Sequence, residues 1–342
     1  MPILTMRLKL PAGFDPFLLA LVSVVTVASL LPCRGLAATV FGRMTVAAIA
    51  LLFFLHGAKL SREAIVAGIS HWRLHLLVAA STFVLFPILG LGVQALGHGW
   101  MNPQIAAGLL FLCLLPSTVQ SSIAFTSIAG GNVPAAVCSA SASNLVGIFI
   151  TPVLVGLLMG AHAGAGDTLH SMEAIALQLL APFILGHLSR PLTAKVLGAH
   201  KKVVNLVDRG SILMVVYSAF SAAVVDGLWR KLSALDLAVV LGMDGLILAV
   251  ALVCTTWAAR AFGFSRADEI AIVFCGSKKS LASGVPMAGV LFPAAAVGPI
   301  IVPLMLFHQM QLMVCAVLAR RYAAGTARQA AEIGTISSST HR

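Results

Sequence analysis

The sequence predicts an all-α polytopic membrane protein of about ten transmembrane helices, and three observations lead there. Hydrophobic residues make up 59% of the chain and charged ones 10%, with a mean hydropathy of +1.01, a balance no ordinary soluble domain shows. The apolar residues form long continuous runs, unlike the short alternating segments of an outer-membrane barrel. The lysines and arginines gather in alternate loops between those runs. The formal net charge of +11 therefore sets topology and gives no reason to expect a nucleic-acid partner.

The runs long enough for a ~30 Å hydrocarbon core follow one another along the chain. The first, 14–31, comes after Arg7 and Lys9 as in a signal peptide. It lacks a small-residue cleavage site, and many spans follow, so it reads as a retained helix. The second covers 37–56, the third 72–96, the fourth 104–129 and the fifth 133–159. The sixth covers 172–188, the seventh 203–225, the eighth 235–259, the ninth 267–291 and the tenth 294–319. Residues 321–342 form a polar, Ser/Thr-rich tail expected to lack regular structure. Six cysteines are scattered singly with no metal-ligand spacing and read as small buried hydrophobes.

Orientation follows from the basic residues. With the N-terminus in the cytoplasm, that side holds Arg7 and Lys9; Lys59, Arg62 and Arg73; Arg190, Lys195, Lys201, Lys202 and Arg209; Arg260 and Arg266; and Arg320, Arg321, Arg328 and Arg342. The other side keeps only Arg34, Arg230 and Lys231. The bias places both termini in the cytoplasm, and the expected location is the plasma (inner) membrane.

Two polar islands stand out. In the ninth span, Gly276-Ser277-Lys278-Lys279-Ser280 puts two adjacent cations and two hydroxyls into apolar sequence, and charge at that depth usually faces a bundle interior or a cavity. In the fourth, Pro116 breaks the helix and Ser117, Thr118, Gln120, Ser121 and Ser122 follow it at once. Serines back-bonding to their own helix explain one or two hydroxyls but not the cluster. The islands also echo each other. Ser121 precedes Pro134 by the interval that separates Ser280 from Pro293, and each proline opens a run of alanines ending in valine. Five spans separate the copies, and an odd separation places them in opposite orientations, the arrangement of an inverted-repeat transporter.

These residues carry a resemblance. Leu52-Phe53-Phe54-Leu55-His56-Gly57-Ala58-Lys59-Leu60-Ser61, Leu114-Leu115-Pro116-Ser117-Thr118-Val119-Gln120-Ser121-Ser122, Gly131-Asn132-Val133, Thr151-Pro152 and Phe274-Cys275-Gly276-Ser277-Lys278-Lys279-Ser280 resemble the bile acid:sodium symporter family, in its divergent bacterial-type branch. The resemblance implies two inverted five-helix repeats, 1–160 and 161–320, that together assemble a panel domain and a core domain. It implies that the broken fourth and ninth helices cross in the core. It implies as substrate a small amphipathic organic anion, carried by symport.

The chain departs from the family's pattern at the ions. Sodium-coupled members carry a Glu two residues before the glycine of the ninth-helix motif and a Gln two after; here stand Phe274 and Lys278. Hydroxyl ligands of the fifth helix align with Ala136 and Ala140, and a Ser-Asn pair of the fourth becomes Ser121-Ser122. An ammonium fills the volume and charge of a bound cation, so the expectation is transport not driven by sodium, with proton coupling or no coupling instead. Asp244, between Gly242 and Gly245 in mid-span eight, is the one acidic residue clearly buried in apolar sequence, and its expected partner is Lys278 or Lys279. Asn144, Gln178, His308, Gln309 and Gln311 are candidates to line the same cavity; singly, such residues more often serve as interhelical hydrogen-bonding glue.

The site expected from the sequence is thus Pro116, Ser117, Thr118, Gln120, Ser121, Ser122, Asn144, Asp244, Gly276, Ser277, Lys278, Lys279 and Ser280, with no metal and no other cofactor. An enzyme is the weaker reading, because a Ser117–Lys278 dyad would have no oxyanion hole. A membrane regulator of ion handling, or a scaffold, is the alternative to a transporter.

Overall fold

The computed structural model describes residues 16–59, 71–160 and 168–339, and all its regular elements are helical. In chain order these are α1 (Pro16–Leu30), α2 (Gly35–Lys59), α3 (Trp72–Leu96), α4 (Pro103–Leu114), α5 (Gln120–Ile128), α6 (Val133–Met159), α7 (Thr168–Ala199), α8 (Lys201–Val225), α9 (Leu228–Lys231), α10 (Ala234–Ala261), α11 (Arg266–Gly276), α12 (Leu281–Leu291) and α13 (Ala294–Ser339). Among the described residues α2, α3, α6, α8, α10 and α13 as far as Gly325 are each long and apolar enough to cross a membrane. This is a multi-pass membrane protein. The expected first and sixth spans correspond to α1 and α7, the fourth to α4 with α5, and the ninth to α11 with α12.

Local chemistry sets the boundaries. Asn132 caps α6 by accepting from Ala135 N–H, with Pro134 in the first turn, where a missing donor costs nothing. Ser233 and Asp236 form a reciprocal capping box at the start of α10, directly after the turn that Gly227 opens with φ 87°. Ser265 caps α11 and Ser280 caps α12. The tail, expected to be irregular, instead continues α13 as helix to Ser339. No proline interrupts it after Pro303, and Ala323, Ala324, Ala327, Arg328, Gln329, Ala330 and Ala331 favour helix.

Helix packing falls into two groups, which α8 joins by packing on α12 and α13 as well as on α1 and α2. In one, α2 lies along α7, and α8 packs on α1 and α2. A methyl group at Gly57 would stand 2.0 Å from Phe183 O, and one at Gly186 2.0 Å from Phe54 O. Helices α2 and α7 therefore touch backbone to backbone at a crossing only glycine allows. Tyr217 ties α8 to α1 by donating to Leu31 O across 2.8 Å. In the other group α4 packs on α3 and α13, α10 on α11 and α13, and α5 and α6 on α11. The outer face of the bundle is apolar: Leu192 is 83% exposed and Trp257 71%, acceptable only where lipid is the solvent.

Candidate functional site

The two interruptions, 115–119 and 277–280, lie against each other. Each strips carbonyls of their helical donors, and a buried carbonyl must find another. Leu115 is extended (φ −80°, ψ 157°), as a residue before proline is pushed to be, and α4 ends there. Beyond that point Leu114 O accepts from Thr151 Oγ1 at 2.9 Å, Pro116 O from Ser280 N–H at 2.8 Å, and Ser117 O from Asn144 Nδ2 at 2.7 Å. Ser117 N–H donates to Ser143 Oγ at 3.0 Å.

At the end of α11 three successive carbonyls are met by three hydroxyls. Ser122 donates to Phe274 O (2.8 Å), Ser117 to Cys275 O (2.5 Å) and Ser81 to Gly276 O (2.7 Å). Ser277 bonds back to Val273 O through its hydroxyl at 2.6 Å. Ser117, Ser122 and Ser277, read from the sequence as substrate or ion ligands, are thus committed to the protein's own backbone. Each such bond contributes about 0.5–1.5 kcal/mol, and a buried carbonyl left without one costs about 1–3 kcal/mol.

Lys279 is fully buried, and its ammonium is held by three carbonyls: Thr82 O at 2.9 Å, Cys113 O at 3.0 Å and Leu115 O at 2.6 Å. Two of these acceptors come from the broken end of α4. The third exists because α3 makes a π turn over Ser81–Leu85. Phe86 N–H reaches back to Ser81 O, and Pro87 has no N–H to offer, so Thr82 O is left free. Nζ also lies 4.1 Å from the Phe86 ring centroid. Gln311 clamps the Lys279 backbone from both sides, accepting from its N–H and donating to its carbonyl, each at 2.9 Å. Three charge-assisted bonds of roughly 1.5–3 kcal/mol each match an effective desolvation penalty of several kcal/mol.

Lys278 points elsewhere. Its ammonium lies 4.3 Å from the Phe125 centroid and 5.2 Å from that of Phe274, with no hydrogen-bond partner among the described residues. Asp244 is fully buried, and neither carboxylate oxygen has a partner there. The expected contact between Asp244 and a lysine does not form. The carbonyls released at the breaks take Lys279, and Lys278 lies against the Phe125 and Phe274 rings.

Beside the crossing, between the two helix groups, lies a cavity of about 380 Å³. Its polar wall is Thr118, Gln120, Ser121 and Asn144 with Ser280 and Ser283; Leu52, Phe53, Leu145, Ile148 and Phe183 supply the apolar one. At one end stand His56, Asn205, Arg209 and the Lys59–Asp208 ion pair. Of the residues expected from the sequence, Thr118, Gln120, Ser121, Asn144 and Ser280 line this space, as does His308. Pro116, Ser117, Ser122, Gly276, Ser277, Lys278, Lys279 and Asp244 do not line it. Asn144 joins the first break to the first turn of α12, donating to Ser117 O and accepting from Ser283 Oγ at 2.6 Å. The Gln178 side chain lies outside the described residues. His56, Asn205, Asp208, Ser141 and Ser283 escaped the sequence reading; an Asp amid Lys201, Lys202 and Arg209 was the one available sign of the ion pair.

The sequence profile of the SBF-like CPA transporter family matches residues 15–324. The chain belongs to this family. Membership agrees with the resemblance to bile acid:sodium symporters that the motifs carry, and it makes the protein a transporter-family member with a multi-pass membrane fold. Among relatives in the family, uncharacterized protein PA2026 of Pseudomonas aeruginosa is 59% identical over 90% of this chain and 93% of its own length. A protein of Escherichia coli K12 named "Putative symporter YfeH" is 56% identical over 92% and 95%. Sodium/bile acid cotransporter 7 of Danio rerio is 28% identical over 88% and 91%.

Proposed function

We propose that this protein is a secondary active transporter that moves a small amphipathic organic anion by alternating access, with the cavity beside the crossing as its binding site. The carrying observation is the pair of unlike walls. A cavity of 380 Å³ is of ligand size, and an apolar lining with a few convergent polar groups is the usual form of a small-molecule site. The apolar face from α2, α6 and α7 suits a hydrocarbon body. Gln120, Ser121 and the exposed Arg209 suit an anionic head. Lys59 contributes less, because Asp208 already pairs with it. On the orientation given by the basic loops, the charged end opens to the cytoplasm.

The echo between the two breaks supports the motion. If α1–α6 and α7–α13 are inverted copies, exchanging their conformations exposes the same site to the other side. The names of the relatives, symporter and sodium/bile acid cotransporter, point the same way. The test is uptake of a panel of labelled amphipathic anions into proteoliposomes, under sodium, pH and no gradient. Saturable uptake above empty liposomes, weakened by Gln120→Leu, is the expected result. Uptake of no anion under any gradient would overturn the reading.

A further inference from the structure

We infer that the cation position at the crossing is filled by the protein's own Lys279, a tethered ammonium standing where a coupled transporter would hold an exchangeable ion. In discontinuous transmembrane helices, unwound carbonyls and the C-terminal ends of half-helices are the groups that coordinate sodium, and a helix C-terminus carries partial negative charge. Here such a set exists: Cys113 O and Leu115 O at the broken end of α4, with Thr82 O from the π turn of α3. All three already accept from one Nζ, which is buried completely and rests on the Phe86 ring.

Sodium, which the names of several relatives imply, does not fit these residues. The three carbonyls are taken by an amine that cannot leave the chain. The buried carboxylate of α10, Asp244, has no hydrogen-bond partner among the described residues. Of the other positions where the resemblance implies ligands, Phe274, Lys278, Ala136 and Ala140 offer no side-chain oxygen, Ser122 gives its hydroxyl to Phe274 O, and Ser121 shares its own with Thr118. A cation fixed to the chain cannot be released to either side of the membrane, so no sodium gradient can act through this position. The cage also joins α3 and α4 to the segment between α11 and α12, so the ammonium acts as a structural ion. Lys278 has no such cage: among the described residues its ammonium has no hydrogen-bond partner and lies against the Phe125 and Phe274 rings.

The experiment reads thermal unfolding of the purified full-length protein, so its outcome is independent of which substrate, if any, is carried. The unmodified protein should show the same Tm in sodium and in choline. Lys279→Ala empties the cage. Its Tm should fall, then rise saturably with ethylammonium and, to a smaller extent, with sodium or potassium, and stay unmoved by choline, which is too large. Lys279→Met, neutral and of similar shape, should be destabilised and respond to none of them. Lys278→Ala should show no rescue by small cations. If Lys279→Ala does not survive extraction, it is extracted in ethylammonium, and Lys279→Met carries the decision. Three results would each overturn the inference: saturable sodium binding by the unmodified protein, a Lys279→Met variant as stable as the parent, or equal cation rescue of Lys278→Ala.

Discussion

Ser280 N–H donates to Pro116 O across 2.8 Å, joining the two interrupted helices backbone to backbone. The contact is possible because each partner lies outside regular helix, Pro116 just past the extended Leu115 and Ser280 as the cap of α12. Around it the hydroxyls of Ser81, Ser117 and Ser122 meet the end of α11. The first prediction is that Ser117→Ala destabilises the protein by about 1–3 kcal/mol, the cost of leaving Cys275 O unmet. Because Ser81 and Ser122 cap the neighbouring carbonyls of one helix end, Ser117→Ala with Ser122→Ala should deviate from additivity. Denaturation of the single and double variants measures this; strict additivity with negligible single effects would remove the capping role.

The second prediction concerns glycines. Gly57→Ala or Gly186→Ala forces a methyl group into a carbonyl oxygen on the facing helix, and backbone cannot yield as a side chain can. Either change should separate α2 from α7 and sharply reduce the folded yield. Gly42→Ala and Gly92→Ala meet open space within their helices, so they should be neutral or gain up to ~1 kcal/mol. Size-exclusion profiles of the four variants decide it. Equal behaviour of the two pairs would contradict the packing described.

Much of this was legible in the sequence, and the limits have physical causes. Pro116 and the Gly276–Ser280 island announce their breaks locally, because a missing N–H and a run of small polar residues act on their own turn. The span boundaries follow for the same reason. Long-range partners are another matter. Nothing near Lys279 says that its acceptors are Thr82, Cys113 and Leu115, and Thr82 O is free only because a π turn meets Pro87. The sequence set Lys278 at the ion position, yet the carbonyl cage took Lys279 and two aromatic rings took Lys278. The serines looked like ligands because a hydroxyl that caps a carbonyl and one that binds a substrate have the same sequence. The helical continuation past Arg320 was hidden by the polar composition that made it look irregular.

The third prediction follows from the slot around Lys278. Phe274→Glu would place a carboxylate beside an ammonium that has no hydrogen-bond partner among the described residues. With Lys278 present, the new charge has a partner; with Lys278→Met it is buried alone. A double-mutant cycle on Tm or denaturant midpoint should therefore show favourable coupling, about 0.5–3 kcal/mol. Zero coupling would mean that the two positions do not meet.

The last prediction separates the cavity from the scaffold behind it. Gln120 is exposed, lines the cavity, and opens α5 on the polar wall. Asn144 lines it too, but is bonded to the first break at Ser117 O and to α12 at Ser283 Oγ. Replacing Gln120 by Leu removes a polar group that no buried partner depends on, so stability should hold, within ~0.5 kcal/mol of the parent. Substrate affinity should fall. Losing one neutral hydrogen bond of about 0.5–1.5 kcal/mol corresponds to a KM raised by roughly two- to tenfold, since each 1.4 kcal/mol is tenfold. Replacing Asn144 by Leu strands a carbonyl and a hydroxyl in the crossing, so it should lower stability and uptake together. Uptake kinetics and unfolding measured side by side on the two variants read out the split. A Gln120→Leu protein with unchanged KM for a transported anion would move the binding site away from this wall.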